Sequence, residues 1–225
     1  MKNKSYIGIS FIILIFGILV IPKIVDRIQN NDVVKGDRLN TVDATKESGL
    51  VKIGPAPKFM LTNQDNKTVS NATFEGKVHV VEFFFSTCPT ICPKMNANLK
   101  IVQQEFDGNP NFGIASITIN PETDTAETLK KHKEELGIKS ENWHFLTGDK
   151  SYIYDIANKG FNLYAGENAQ ANGGFEHSGL FALVDKEGNI RCRKDDFGNP
   201  ILYYDGIEKA GIQALAADIK LLLEE

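Results

Sequence analysis

Residues 78–85, with the sequence VHVVEFFF, are the feature that most constrains how this chain folds. Valine and phenylalanine occupy six of these eight positions, without the regular polar alternation of a strand that has one face in water. A run of this length that is rich in β-branched and aromatic residues predicts a central strand buried on both faces. Such a strand needs helices on both sides of its sheet, so the run predicts an α/β fold with a central sheet covered by helices.

The rest of the chain alternates between strand and helix patterns, as an α/β fold requires. Apolar residues recur at spacings of four, three and four from Met95 to Phe106, which predicts a helix that begins around Cys92 and Pro93. A hairpin is predicted around the turn-rich residues 63–67. The remaining predicted elements are strands over 112–119, 144–147 and 179–185, and helices over 124–136 (with Asp124 and Glu127 as a capping pair), 151–159 and 207–223.

Residues 6–21, YIGISFIILIFGILVI, form an uncharged apolar run that predicts an N-terminal transmembrane helix. A helix of this length reaches about 24 Å, and the lysines on either side can extend their charged heads to the two interfaces. The alternative is a cleaved signal peptide, but the following residues lack the small-x-small cleavage site that it requires. We therefore expect a membrane anchor over 1–22, a flexible tether over 23–50 and a folded domain over 51–225.

Charge and the position of the apolar run narrow the class of protein. A net charge of -4, from 25 basic and 29 acidic residues, provides no broad basic field, so no nucleic acid partner is expected. The few residues before the run leave no room for an organelle transit peptide, which favours a bacterial protein of the cytoplasmic membrane. Positive charge is nearly balanced across the run, so the positive-inside rule does not set its orientation.

Two cysteines, Cys88 and Cys92, stand four residues apart in STCPTICPKM, directly after the predicted buried strand and at the start of the next helix. Side chains four apart on a helix lie about 5 to 6 Å from each other at Cβ, so the two sulfurs can form a disulfide or hold one metal ion. The positive end of a helix also favours the thiolate form. A permanent structural disulfide is the alternative, but a crosslink that closes so short a loop adds little stability.

The motif FFFSTCPTICP and the downstream stretch GGFEHSGLFALVDKEG resemble the Sco/SenC family of respiratory copper proteins. The stretches TINPETDTAETL and WHFLTGDK are also similar to that family, and the resemblance covers about residues 51–225. It implies a thioredoxin-like fold and a copper ion held by Cys88, Cys92 and His177. Two soft thiolates favour Cu(I), whereas an imidazole accepts both Cu(I) and Cu(II), so either oxidation state suits this set of ligands.

The resemblance also implies a function and a location. By analogy with the family, the resemblance implies a metallochaperone that delivers copper to, or prepares, the dinuclear copper-A site of cytochrome c oxidase. Such a protein works outside the bacterial cytoplasmic membrane, so the resemblance implies a single-pass protein whose amino terminus is inside. Its soluble domain then lies on the periplasmic or outer side, where it meets the copper-A subunit of the oxidase.

Two other functions would use the same residues. A thiol-disulfide oxidoreductase would cycle Cys88 and Cys92 between dithiol and disulfide, and a copper or redox sensor would bind without delivering. Thioredoxin-like enzymes usually place a cis-proline beside their cysteines, at the position where His177 lies. This chain has no proline between Pro121 and Pro200, which favours the carrier over the enzyme.

The other histidines and the nearest methionine are predicted to be structural. His79, His132 and His144 have no cysteine or second histidine at the spacing that metal ligands require. Met95 lies three residues after Cys92, yet it begins the apolar stripe of the predicted helix, so we expect it in the core.

Three further residues require a separate interpretation. Cys192 lies on a predicted strand and is expected to be a partly buried free thiol. Glu82 lies in the buried strand, and because an unpaired buried charge is costly, we expect its carboxylate to reach solvent or a lysine. The alternative is a buried acid of the kind that assists proton transfer in thioredoxins. Asn120 precedes a proline where Sco/SenC relatives usually have aspartate, so no role of that aspartate is carried over to it.

Overall fold

The computed structural model describes residue 10 and residues 14–22, 49–171 and 173–225. Residues 14–22 are helical. Among the described residues, no helix has both the length and the apolar character needed to cross a bilayer. Most of the predicted anchor over 1–22 and of the tether over 23–50 lies outside the described residues, so both remain predictions.

The described residues of the folded domain form a ten-stranded mixed sheet and a separate two-stranded ribbon. The strands are β1 (Val51–Pro55), β2 (Met60–Asn63), β3 (Thr68–Ser70), β4 (Val78–Phe84), β5 (Phe112–Thr118), β6 (Trp143–Thr147), β7 (Ala165–Glu167), β8 (Phe175–His177), β9 (Leu180–Val184), β10 (Asn189–Lys194), β11 (Pro200–Ile201) and β12 (Tyr204–Asp205). The main sheet runs β1-β10-β9-β4-β5-β6-β2-β3, with β11 beside β10 and β12 beside β9, and the ribbon pairs β7 with β8.

The predicted buried strand is confirmed as the centre of this sheet. Every residue of β4 is buried, and the strand lies between β5, which is parallel to it, and β9, which is antiparallel. The hairpin predicted around residues 63–67 is also present, as the antiparallel pair β2 and β3. The continuous apolar run thus marks a strand that is covered on both faces, as its sequence predicts.

Helices cover both faces of the sheet. They are α1 (Cys92–Glu105), α2 (Ala126–Glu135), α3 (Lys150–Tyr154) and α4 (Lys209–Glu224). On one face, the Phe84 ring stacks on His132 of α2, and His132 lies within hydrogen-bonding distance of Asn96 of α1. On the other face, Phe83 packs against Phe161, which follows α3. Side chains that alternate along β4 therefore contact opposite helical layers.

The cap of α2 differs from the predicted pair of Asp124 and Glu127. Thr125 caps the helix, since its Oγ1 accepts a hydrogen bond of 3.2 Å from the backbone N–H of Thr128. Asp124 is instead fully buried, and its carboxylate accepts hydrogen bonds from the backbone and side chain of Ser86 and from the hydroxyl of Thr118. These bonds hold the loop that follows β4 against the end of β5. A buried carboxylate that is bonded in this way is not available as a helix cap.

The helix predicted over 151–159 is shorter and changes its geometry. Asp149 caps α3, accepting a hydrogen bond of 2.8 Å from the backbone N–H of Tyr152. The chain then continues as a π-helix over Asp155–Phe161 and ends at Asn162, whose φ of 52° is left-handed. The wider turn of a π-helix is not encoded in a 3.6-residue apolar period, which explains why the pattern predicts an ordinary helix.

A buried histidine on β4 makes the stability of the domain sensitive to acid. The ring of His79 stacks on Phe74 with ring centroids 4.4 Å apart, and burial lowers the pKa of His79 from 6.5 to about 4. Below pH 6.5 the unfolded chain takes up a proton that the folded chain takes up only near pH 4. The free energy of unfolding is therefore expected to fall as the pH falls through this window, by up to about 1.4 kcal/mol per pH unit.

The substitution His79→Asn tests this expectation. Urea unfolding at pH 6.5 and pH 5 should show that the parent loses about 2 kcal/mol more stability over this interval than the variant does. Comparing the two losses, rather than the two stabilities, separates titration from any change in packing. Equal losses would show that His79 does not contribute to the acid sensitivity.

Candidate metal centre

The two cysteines of the motif lie where a buried strand meets a helix. After β4 the chain turns, with the backbone N–H of Cys88 donating to the carbonyl of Phe85 over 3.2 Å. Cys92 is the first residue of α1 and Pro93 is the second, as predicted. A proline fits this first turn because the N–H groups there have no partner within the helix. Both sulfurs are thus held at the N-terminal end of α1.

The third predicted ligand, His177, lies on the β7–β8 ribbon. It is the last residue of β8, where it pairs with Ala165, and the next backbone N–H, that of Ser178, donates to Tyr164. The Nδ1 atom of His177 lies 3.0 Å from the carbonyl oxygen of Ser178. A carbonyl oxygen can only accept, so Nδ1 carries a proton and Nε2 faces the two sulfurs; when the ring is neutral, the Nε2 lone pair can bind a metal ion.

The structure brings Cys88, Cys92 and His177 together in one buried cluster. Their ligand atoms all lie within 4.8 Å of one another, and Cys92 Sγ is 3.0 Å from His177 Nε2. Only 7%, 2% and 7% of these residues is exposed, in the same order. Two thiol sulfurs and one imidazole nitrogen form a soft set of donors that fits Cu(I) and also accepts Cu(II).

The two thiols differ in their tendency to ionise. Burial opposes ionisation of Cys88, but the His177 imidazole and the backbone amides of Cys92 and Thr90 outweigh it and lower the pKa of Cys88 to about 5. Burial raises the pKa of Cys92 well above its ordinary value, and the neighbouring Cys88 adds to this effect. At neutral pH the metal-free site therefore holds one thiolate, at Cys88, and one protonated thiol, at Cys92.

This difference predicts which cysteine reacts first with an alkylating reagent. At pH 7 iodoacetamide is expected to modify Cys88 at least about tenfold faster than Cys92 or Cys192, because the thiolate is the nucleophile and burial raises the pKa of both other thiols. A mass-spectrometric time course of the cysteine-containing peptides measures the three rates. Modification of Cys92 as fast as Cys88 would contradict the assigned protonation states.

A cavity of about 320 Å³ lies beside Cys88 and connects the sulfur with the surface of the domain. Its lining includes Cys88, His177, Phe85, Thr90, Ile91, Asn168 and Phe175. Cys92 does not line this cavity. Access to the cluster is therefore from the side of Cys88 and His177.

The residues predicted to be structural are buried in the core or packed against it. Met95 is fully buried on α1, as expected, and His132 and His144 pack against phenylalanine rings. Among the described residues, none of the three structural histidines belongs to a group that could hold a metal ion. Cys192 is a free thiol on β10, where it pairs with Val51 of β1, and it is fully rather than partly buried.

The expectation for Glu82 was wrong. Its carboxylate reaches neither solvent nor a lysine, because the residue is 0% exposed and its Oε1 accepts a hydrogen bond of 2.5 Å from the hydroxyl of Ser116. Burial raises the pKa of Glu82 to about 7. Asn120 is likewise buried, and its backbone carbonyl accepts from the N–H of Asp124 over 2.9 Å, so it has a structural role in this turn.

Comparison with known proteins places these features in a family context. The sequence is 31% identical to the SCO1 protein homolog of Bacillus subtilis over 164 residues, which are 72% of this chain and 79% of that protein. The solved structure of BsSco, described as a member of the Sco family of cytochrome c oxidase assembly proteins with a disulfide switch, is 28% identical. It matches with a TM-score of 0.64 over 76% of this chain and 95% of that chain.

The structure of Bradyrhizobium japonicum ScoI with copper bound is 22% identical, with a TM-score of 0.56 over 75% of this chain and 99% of that chain. At this identity the likeness concerns the fold alone, and it agrees with the predicted thioredoxin-like fold. The family model SCO1/SenC matches residues 52–210, which is well over half of the chain and includes the cysteine motif and His177. The chain belongs to the SCO1/SenC family.

Proposed function

We propose that this protein binds one copper ion through Cys88, Cys92 and His177. We further propose that it delivers the ion to the dinuclear copper-A site of cytochrome c oxidase, or prepares that site. The observation that carries the proposal is the convergence of two sulfurs and one imidazole nitrogen within 4.8 Å. Two related proteins support it, since BsSco is described as a cytochrome c oxidase assembly protein and ScoI has been solved with copper bound.

The chain's own residues suggest how copper is held and released. The Cys88 thiolate lies at the cavity and is the group that an incoming ion meets first. Cys92 loses its proton when its sulfur becomes a ligand, because the thiolate is the form that binds metal. The bond from His177 Nδ1 to the Ser178 carbonyl keeps the ring oriented throughout. Release then requires ligands of the partner to enter from the cavity side and replace these groups.

A second candidate function is thiol-disulfide exchange, which the unequal acidity of the two thiols favours. The Cys88 thiolate would attack a disulfide of the partner and form a mixed disulfide, with one partner sulfur leaving as a thiolate. Cys92 would then lose its proton and attack Cys88, which releases the second partner thiolate and leaves a Cys88–Cys92 disulfide. The partner gains two electrons and the protein loses two, as in reduction of the copper-A cysteines before metallation.

A transfer assay distinguishes the two functions. The copper-loaded protein is mixed with the metal-free copper-A domain of the oxidase subunit, whose cysteines have been reduced beforehand. The proposal predicts that the copper-A absorption spectrum appears and that copper leaves the protein. If copper stays on the protein, and the copper-free dithiol instead reduces the oxidised copper-A domain, the exchange function replaces the carrier function.

We also propose that residues 1–22 anchor the protein in the bacterial cytoplasmic membrane, with the domain of residues 51–225 on the outer side beyond the 23–50 tether. The apolar run over 6–21 supports this location. Fractionation of cells that express the full chain should place it with the membranes. Full-chain protein in the soluble fraction would contradict the anchor.

A further inference from the structure

The buried carboxyl of Glu82 belongs to a chain of hydrogen bonds whose direction is fixed. Trp143 Nε1, which can only donate, gives its hydrogen to Ser116 Oγ over 2.8 Å. The Ser116 hydroxyl in turn donates to Glu82 Oε1 over 2.5 Å. Within the part of the chain that the structure describes, Glu82 Oε2 is buried and has no hydrogen-bond partner. The hydrogen bond from Ser116 thus holds Oε1 in place. Oε2 makes no hydrogen bond, so none weakens its interaction with a charge nearby.

The position of Glu82 in the sheet places it on the face that α1 covers. Glu82 and Phe84 lie two apart on β4 and so point to the same face of the sheet. Phe84 stacks on His132 of α2, which neighbours Asn96 of α1, so this is the face that α1 covers. The first residue of α1 is Cys92. The carboxyl therefore lies beneath the helix that supplies one of the proposed copper ligands.

The electrostatic contacts of Glu82 point to the same neighbours. Burial has the largest effect on the pKa of Glu82 and the Ser116 hydrogen bond the next; in the metal-free site a protonated His177 ring also lowers this pKa. Glu82 in turn raises the pKa of Cys92. Among the described residues, no lysine or arginine forms an ion pair with Glu82. Two of the three proposed ligands thus interact with this carboxyl, and no structural cation neutralises it.

We propose that Glu82 shifts the copper preference of the site, its buried carboxyl favouring Cu(II) over Cu(I) when it is ionised. This inference rests on the proposed copper site. With two thiolates, a Cu(I) site carries one negative charge and a Cu(II) site carries none, so a neighbouring carboxylate repels the former and not the latter. The interaction is strong because burial screens it little. Glu82 is a positioning and tuning residue rather than a ligand in this assignment.

The substitution Glu82→Gln tests the proposal, because glutamine removes the charge and keeps an oxygen that can accept from Ser116. Purified full-length protein with reduced thiols is titrated at about pH 8, above the Glu82 pKa of about 7, with Cu(I) and, separately, with Cu(II), each against a competing chelator. We expect the ratio of Cu(II) affinity to Cu(I) affinity to fall by about 10 to 100-fold. A tenfold change corresponds to a rise of about 59 mV in the reduction potential of the bound copper.

Three further variants separate charge from structure. Glu134→Gln removes an exposed charge from α2 and should keep the parent ratio. Glu82→Asp keeps a carboxylate and should keep most of the preference. Glu82→Leu is a second neutral variant and should behave like Glu82→Gln. The fluorescence of Trp143, the single tryptophan, shows in copper-free protein whether each variant retains the native core.

The outcomes distinguish this inference from the function on which it rests. A folded Glu82→Gln or Glu82→Leu variant whose affinity ratio stays within about twofold of the parent overturns the role of Glu82 alone. A parent protein that binds neither ion overturns the proposed copper site, and this inference with it. A lower ratio in both neutral variants, together with a parent-like ratio for Glu134→Gln, supports the proposal.

Discussion

Replacing Cys92 with serine is expected to abolish copper binding in both oxidation states. Cys92 is the most deeply buried of the three proposed ligands, and its sulfur faces Nε2 of His177 across 3.0 Å. A serine hydroxyl is a hard, weakly acidic donor that does not replace a thiolate, so one sulfur and one nitrogen remain. Loss of one ligand from a site of this size is expected to weaken binding by about 1000-fold or more. Copper retained per chain after gel filtration, and competition with a chelator, measure this effect.

Cys192→Ala provides the matched control for this substitution. Cys192 is also a buried free thiol, but it lies on β10 and is not a member of the cluster formed by Cys88, Cys92 and His177. The control variant should bind copper as the parent does. Parent-like copper affinity in Cys92→Ser, or loss of copper from Cys192→Ala, would show that the ligands are assigned wrongly.

The second large effect is expected from His177→Ala, and it depends on the oxidation state of copper. The variant keeps both thiolates, which suffice to hold Cu(I) more weakly, whereas Cu(II) gains more from an imidazole and should lose most of its affinity. We expect a loss of about 100-fold or more for Cu(II) and a clearly smaller loss for Cu(I). Parallel titrations of the reduced protein with the two ions provide the comparison.

His177→Ala also separates the carrier from the oxidoreductase, because both mechanisms need the cysteines and only the carrier needs this nitrogen as a ligand. If the protein is a carrier, thiol-disulfide exchange by the Cys88 and Cys92 pair should survive the substitution. In the oxidoreductase, removal of the imidazole changes the reactivity of Cys88, whose pKa it helps to lower. The control His144→Asn changes a histidine of β6 outside the cluster and should alter neither property. Unchanged Cu(II) affinity combined with lost reductase activity would replace the carrier with the enzyme.

Local patterns in the sequence predicted the parts of the structure that local interactions determine. The unbroken apolar run of β4 predicted a strand that is covered on both faces, and the apolar stripe from Met95 to Phe106 predicted a helix that begins at Cys92. The helical i, i+4 spacing of the two cysteines does not apply, because Cys88 lies in the loop before this helix. His177 is separated from Cys92 by 85 residues, so no spacing rule connects the two. It was found through family resemblance, and in the structure its ligand atom lies within 4.8 Å of the two sulfurs.

The features that the sequence did not reveal depend on distant partners. Glu82 is buried because Ser116, 34 residues away, supplies a hydroxyl, and Trp143, a further 27 residues on, fixes the direction of that hydroxyl. The same holds for Asp124, which bonds to Ser86 across 38 residues rather than capping its own helix. From a single sequence, a carboxylate is predicted to be exposed or to cap a helix. Only the tertiary contacts show that these two are buried and hydrogen-bonded.

The coordination of the bound ion tests the copper centre most directly. The full-length protein with reduced thiols is loaded with Cu(I), freed of excess metal and examined by X-ray absorption at the copper edge, with copper and protein quantified in the same sample. We predict one copper ion per chain, bound by two sulfur atoms and one imidazole nitrogen. The Cys92→Ser sample should fail to retain the ion. A parent sample in which copper is absent, or is bound without sulfur, would contradict the assignment of Cys88, Cys92 and His177 as its ligands.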